Sequence, residues 1–268
     1  MSSWLCGERQ RVHESSEEEA ELDPGCPLSL SSIWSTVDSA ILGEKVTVDN
    51  LTFRVERKLA EGGFGSILLA HSHDRQTVAI KRTLASAPEL EHKARAEAYA
   101  MRFVQHPAIM KLIAHAPGFV HNTLPFGQPP TRCYHLVTPA YLEGSLVTAW
   151  DCIRSDNSHC LRLATAEVVH LALQLAEGLD AMHSRGITHR DVTPSNVMLD
   201  STTDDPRAVL TDFGSCRNSP IEVHTSHEAH ETQEAAQSNT TAPCRPPELW
   251  YCQYPCTVCA STTFSACV

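Results

Sequence analysis

The stretch His189-Arg190-Asp191-Val192-Thr193-Pro194-Ser195-Asn196, followed at a short distance by Asp212-Phe213-Gly214, decides how this sequence folds. Upstream of it Val168, Leu171, Ala172, Leu175, Leu179 and Met182 recur at three- and four-residue steps, the period of a helix with one buried face. The sequence predicts that this helix opens with Thr165 as its N-cap and stops before Gly186. Downstream lie two short apolar runs, Val197-Met198-Leu199 and Ala208-Val209-Leu210, each beside polar residues. A polar loop carrying an aspartate and an asparagine therefore leaves the end of a long helix.

Further out, residues 46–85 read as strands. Val46-Thr47-Val48 and Leu51-Thr52-Phe53-Arg54-Val55 are alternating and β-branched, and Val78-Ala79-Ile80-Lys81 follows the turn at Asp74-Arg75-Gln76. Between them Ala60-Glu61-Gly62-Gly63-Phe64-Gly65-Ser66-Ile67 passes directly into the apolar run Ile67-Leu68-Leu69-Ala70. A dinucleotide-binding or P-loop glycine motif would need a helix after the glycines, and here the sequence continues as strand. Glu89 to Val104, rich in Ala, Glu, Arg and Met, predicts a helix closed by His106-Pro107. Ile109 to Ala114 and Tyr134 to Thr138 predict further strands, with an exposed loop from Pro117 to Pro130 between them. The order is a small strand-rich part, then a helical part.

Four elements thus stand in one order: glycines between two strands, a lysine at the end of an apolar strand (Lys81), a loop with Asp191 and Asn196 after a long helix, and Asp212-Phe213-Gly214. Each alone is weak, since a lone pair of glycines is usually a turn. Together they resemble the signature set of the protein kinases. The resemblance implies an α+β, bilobal fold, with a small antiparallel β-sheet N-lobe and a mainly helical C-lobe. The kinase domain would run over 46–248, with an N-lobe of about 46–138, a hinge at 138–144 and a partial C-lobe at 145–248. Leu59-Ala60-Glu61-Gly62-Gly63-Phe64, Asp212-Phe213-Gly214-Ser215 and a proline-bearing hinge look like the Numb-associated kinase family, on the branch of myristoylated and palmitoylated serine/threonine kinases.

That resemblance implies an ATP- and Mg²⁺-dependent serine/threonine protein kinase; the alternative is an ATP-binding pseudokinase or scaffold fragment. Ala60, Glu61, Gly62, Gly63, Phe64 and Gly65 would close over the phosphates, because glycines without Cβ let backbone N–H groups approach the oxygens. Lys81 would meet the α- and β-phosphates and pair with a helix glutamate, with Glu97 the better candidate and Glu91 the poorer. Asp191 would take or orient the proton of the attacking hydroxyl, while Asn196 and Asp212 would hold Mg²⁺ as hard oxygen ligands. Thr138 would be the gatekeeper. Pro139, having no N–H, would offer its carbonyl to adenine, and Tyr141 its backbone N–H. Ile67, Ala79 and Met198 would wall the purine, although core packing alone accounts for apolar residues there. The segment from Asp212 to Glu248 would hold a helix at Ser226 to Gln237, with Thr241 at the site that reads the neighbour of the substrate hydroxyl and Pro246-Pro247-Glu248 in the place of Ala-Pro-Glu.

Several positions depart from the family pattern. Ala60 replaces the first loop glycine, and Thr193 replaces the lysine found two residues after the catalytic aspartate; losing that charge is expected to slow transfer by a few kcal/mol or so. Beyond Glu248 the sequence lacks the periodic helix and acidic brace of a kinase, which implies a truncated C-lobe with Glu248 unpaired. Ser2 stands where the branch has an acylated glycine, so any peripheral contact with Golgi or vesicle membranes would not use N-myristoylation.

Composition narrows the remaining classes. The 268 residues carry a formal net charge of -11, which disfavours nucleic acid as a partner. Residues 1–45 hold nine acids against three bases, more than half of that excess, and with Ser15, Ser16, Pro24, Gly25 and Pro27 they predict an acidic, mostly disordered leader. No run of about 18 apolar residues occurs, so no ordinary membrane-spanning helix is expected. Eleven cysteines without a signal peptide imply reduced thiols in a cytoplasmic protein. Cys256-Thr257-Val258-Cys259, in the divergent tail 249–268, has a spacing that could place two thiolates on zinc, but no second pair completes such a site.

Overall fold

The computed structural model describes residues 42–62, 65–85, 87–120, 131–154, 163–200, 206–218, 221–245 and 256–258. Most of the acidic leader, Gly63, Phe64, Pro246-Pro247-Glu248 and the tail apart from 256–258 lie outside the described residues, and with them the expectations placed there.

The strands β1 (Lys45–Val48), β2 (Leu51–Gly62), β3 (Gly65–Ser72) and β4 (Thr77–Leu84) form an antiparallel meander. Helix α1 (Pro88–Phe103) follows, then β5 (Ala114–Val120) and β6 (Thr131–Pro139), which complete a six-stranded sheet in the order β1-β2-β3-β4-β6-β5. The alternation in β1 and β2 buries Val46, Val48, Phe53 and Val55 on one face, where they meet Leu68, Ala70, Val78, Ile80 and Val137. Lys81 lies within β4, which continues to Leu84, and does not close it.

Two sequence expectations change here. Ile109 to Ala114 is not a strand: Ile109 makes a single bridge to Leu210, and the strand begins at Ala114. β5 then takes in Pro117 and Gly118, residues that read as loop. Proline is tolerated because β5 is the edge of the sheet, where its absent N–H breaks no ladder. The remainder of the expected loop, 121–130, is outside the described residues.

Helix α1 sets small residues against the sheet. Ala94 and Ala98 pack on Tyr134 and Leu136, and Met101 and Val104 run on into a second core. That core belongs to α2 (Leu146–Arg154), α3 (Thr165–His183) and the strand pair β8 (Val197–Asp200) and β9 (Arg207–Leu210), preceded by the short β7 (Ile187–Thr188). Leu171, Leu175, Leu179 and Met182, the periodic face read from the sequence, pack on Val197, Leu199, Val209, Leu210 and Phe213. The N-cap of α3 is Ala164, not Thr165. Alanine has no side-chain acceptor, and the end is tied from the helix side, where Glu167 Oε2 accepts the Ala164 N–H at 2.6 Å.

After Phe213 come β10 (Arg217–Asn218), paired with β7, and β11 (Ile221–Val223), paired antiparallel with β12 (Cys256–Val258). Between them α4 spans Ser226–Asn239, where the sequence predicts a helix. Its start is a capping box: Glu228 N–H donates to Thr225 Oγ1 at 3.2 Å, and Glu228 Oε2 accepts the Thr225 N–H at 3.3 Å. No helix among the described residues is long and apolar enough to cross a membrane.

Candidate active site

The six-stranded sheet and the α3 core face each other across a cleft, and the residues singled out in the sequence line it. Lys81 reaches across from β4. Its Nζ donates to Glu97 Oε1 at 2.8 Å and to Asp212 Oδ1 at 2.9 Å. Glu97 sits in the buried stripe Ala94, Glu97, Ala98, Met101 of α1, a place where a carboxylate is costly unless paired. Glu91, the other candidate, is engaged elsewhere: Arg95 Nη2 donates to it at 2.8 Å, one turn along the same helix.

One cation thus serves two carboxylates. Burial would lower the Lys81 pKa, but the two anions outweigh it and hold the ammonium above its ordinary range. Burial would raise the Asp212 carboxyl, yet Lys81 keeps it below its ordinary value, helped by its backbone hydrogen bond with Gly214. Glu97 is raised by burial, with Lys81 opposing. The result is a charged triad spanning the two parts of the fold.

Asp191 is held on both sides. Its Oδ1 accepts the backbone N–H of Thr241 at 2.8 Å, and its Oδ2 accepts Asn196 Nδ2 at 2.9 Å. Asn196 Nδ2 also donates to the Asp191 carbonyl at 2.9 Å, so the amide nitrogen is spent and its carbonyl oxygen is left as the ligand atom. Beneath them the fully buried His189 donates from Nε2 to the Thr211 carbonyl at 3.0 Å and accepts the Asp191 N–H on Nδ1 at 3.3 Å. Burial lowers its pKa and keeps the ring neutral, the form this bonding needs. Its edge-to-face contact with Phe213, at 5.1 Å, ties the Asp191 loop to the Asp212 turn. The sequence displayed His189 without revealing this role, since only the fold brings Thr211 and Phe213 to it.

Backbone strain concentrates at the same place. Asp212 (φ 62°) and Arg190 (φ 70°) adopt left-handed conformations that cost non-glycine residues about 1 kcal/mol or more. Gly65, by contrast, is required. At φ +155° an added Cβ would lie 1.9 Å from the Arg82 carbonyl oxygen, so only glycine lets β3 leave the turn this close to β4. Thr193 is buried and its hydroxyl lies 2.8 Å from Ser195 Oγ. It supplies no charge to the cleft.

Two cavities make up the cleft and share Ala60, Ile67, Lys81, Glu97 and Asp212. The inner one, about 540 Å³, is lined by Ile67, Ala79, Thr138, Pro139, Tyr141 and Met198 among others. The outer, about 620 Å³, is lined by Glu61, Gly65, Asp191, Gly214 and Thr241 among others. The inner wall is apolar and ends on a cation, which fits a purine carrying phosphates. The Asn196 carbonyl oxygen and the Asp212 carboxylate are hard oxygen donors, a set that suits Mg²⁺. Among the described residues, the expected site residues other than Gly62 line this cleft; Gly63 and Phe64 fall outside the described residues.

A family model described as the protein kinase domain matches residues 53–251. Serine/threonine-protein kinase 16 of Mus musculus is 30% identical over 217 residues, covering 80% of this chain and 66% of that protein. The Rattus norvegicus protein of the same name is 31% identical over the same shares. A bacterial protein, serine/threonine-protein kinase Pkn1 of Myxococcus xanthus, is 28% identical over 181 residues, 66% of this chain and 23% of its own length. The chain spans 66% of the length of the two mammalian relatives. The matched residues take in every element that builds the cleft, from the glycine turn to Thr241, and the chain belongs to the protein kinase family.

Proposed function

We propose that this chain binds Mg²⁺-ATP in the cleft and transfers the γ-phosphoryl group to serine or threonine hydroxyls of proteins. The observation that carries the reading is the Lys81 ammonium at 2.8 Å from Glu97 and 2.9 Å from Asp212, joining residues far apart in sequence at the mouth of an apolar pocket. Ile67, Ala79 and Met198 hold the purine, and the Pro139 carbonyl and Tyr141 N–H bond its edge. Lys81 binds the α- and β-phosphates. Asp191 orients the substrate hydroxyl and accepts its proton as the new oxygen–phosphorus bond forms and the bond to the leaving ADP breaks. Mg²⁺, when bound, neutralises charge developing on the phosphate oxygens; Asn196 and Asp212 are the residues that would hold it. In this reading the kinase domain is 46–248, and the protein works in the cytoplasm or at the surface of Golgi or vesicle membranes.

Thr193 favours a second reading, a nucleotide-binding pseudokinase, because a buried hydroxyl bonded to Ser195 stands where serine/threonine kinases have a lysine. Ligand binding and turnover separate the two. At a hundredfold excess of Mg²⁺-ATP over its Kd, binding should stabilise the chain by about 2.7 kcal/mol, raising Tm on the order of 5 °C. Lys81→Met should abolish most of that rise. An unchanged Tm in the parent chain would overturn both readings, while a shift without phosphate transfer would select the second.

A further inference from the structure

Arg245 lies at the C-terminal limit of the continuous described chain, outside both cavities, yet it is one of few charged residues buried to 7% exposure. Its guanidinium bonds to the end of α4. Nε donates to Thr240 Oγ1 at 2.8 Å, and Nη2 to the Thr240 carbonyl at 3.2 Å and the Gln237 carbonyl at 3.5 Å. The Thr240 hydroxyl, in turn, donates to the Ala236 carbonyl at 2.7 Å. The hydroxyl therefore both donates and accepts, and a cation sits on the last carbonyls of a helix, where the dipole favours it.

The chain leaves α4 at Thr240 in an extended conformation (φ -136°, ψ 145°), and the next residue, Thr241, places its N–H on Asp191 Oδ1 at 2.8 Å. From there the backbone turns tightly, Cys244 N–H bonding the Thr241 carbonyl at 3.0 Å and Arg245 N–H the Ala242 carbonyl at 3.2 Å. The loop 240–245 is thus closed on itself by the Arg245 side chain. Its first free N–H is the one that meets Asp191.

We infer that Arg245, acting through Thr240, is a positioning residue for phosphoryl transfer: it holds the loop whose Thr241 N–H fixes the Asp191 carboxylate. The inference rests on the proposed kinase activity for its kinetic consequence but not for its geometric one. Lys81 and the apolar pocket are held by other elements, and the loop reaches the cleft only at the outer cavity, which Thr240 and Thr241 help to line. The effect of losing Arg245 therefore falls mainly on the transfer step that uses Asp191.

The test compares Arg245→Gln, Thr240→Val and the double variant with the parent chain, reading peptide phosphorylation, Mg²⁺-ATP affinity and amide hydrogen exchange at Thr241. Each single variant should lower kcat with a peptide substrate by about tenfold, the value of one buried charge-assisted bond, with a clearly smaller change in the Kd for Mg²⁺-ATP. The double variant should be no worse than the poorer single one, because both break the same link. Thr240→Ser, which keeps the hydroxyl, should restore the lost activity. Exchange at Thr241 should quicken by about the same factor in both single variants while exchange in β2–β4 stays as it was. Unchanged exchange at Thr241, or additive losses in the double variant, would overturn the inference. If the parent chain transfers no phosphate, the activity proposal fails, and the exchange measurement still decides the positioning.

Discussion

Arg82, next to Lys81 on β4, shows what single residues do away from the cleft. It is almost fully buried, with Nη2 donating to both Glu44 oxygens at 3.0 and 3.1 Å and Nε donating to His135 Nε2 at 3.2 Å. Burial first, and then the guanidinium, pull His135 down to about 4, so the ring is neutral in the folded chain. Between its ordinary value of 6.5 and about 4, the unfolded chain takes up a proton that the folded chain refuses. Stability from this residue is thus complete above the higher value and falls with pH through that window, by about 3 kcal/mol in all. Urea midpoints between pH 7 and pH 4.5 should show the fall, and His135→Gln, which keeps an acceptor for Arg82, should flatten it. An equal slope in the variant would place the pH dependence elsewhere. Nothing in the sequence marked this cluster, because Glu44, Arg82 and His135 are distant in the chain and join only when β4 pairs with β6. Glu97 was legible for a different reason: the resemblance expects a glutamate of the helix after β4 to pair with Lys81, and Glu91 lies nearer the start of that helix.

Among elements, the β2–β3 hairpin carries the sharpest expectation. Its ladder closes with Gly62 opposite Gly65, and the backbone at Gly65 runs against the Arg82 carbonyl. Gly65→Ala should cost at least about 1 kcal/mol in urea unfolding and weaken Mg²⁺-ATP binding. Binding equal to the parent chain would mean that the hairpin does not shape the nucleotide site. Helices α1, α3 and α4 were readable from their sequence, as were β1 and the core of β2 to β4, because period and composition are local. β5 was not, because Pro117 and Gly118 read as a turn. Their reasons are tertiary: an edge position for the proline, and the His135 ring, 2.7 Å from where a Gly118 Cβ would stand. α2 escaped as well; its nine residues are few and include valine, threonine and isoleucine, and Ser145 Oγ, accepting the Thr148 N–H at 3.4 Å, marks its start only once the turn is formed.

At the scale of the molecule, the described residues form a hydrophobic cluster within the sheet around Phe53 and Ile80, a small one where α1 meets β6, and a large one around α3; α1 belongs to the last two. Its N-terminal half rests on β6, while Ala100, Met101 and Val104 join the α3 core. Glu97 lies at the change-over, so the Lys81–Glu97–Asp212 triad reports how the two parts are seated. The order of motifs along the chain was enough to place the cleft between a sheet and a helical body. The hydrogen bonds that orient Asp191, from Thr241 on one side and Asn196 on the other, required the fold. The claim that this cleft transfers phosphate rests on Asp191, and the direct measurement is transfer of labelled γ-phosphate to a protein substrate by the parent chain and by Asp191→Asn, each shown to bind Mg²⁺-ATP. The expected result is transfer by the parent chain and a loss of at least about a hundredfold in the variant, the usual worth of a positioned general base. Equal transfer by the two, with nucleotide bound in both, would contradict the role given to Asp191 and with it the proposed chemistry.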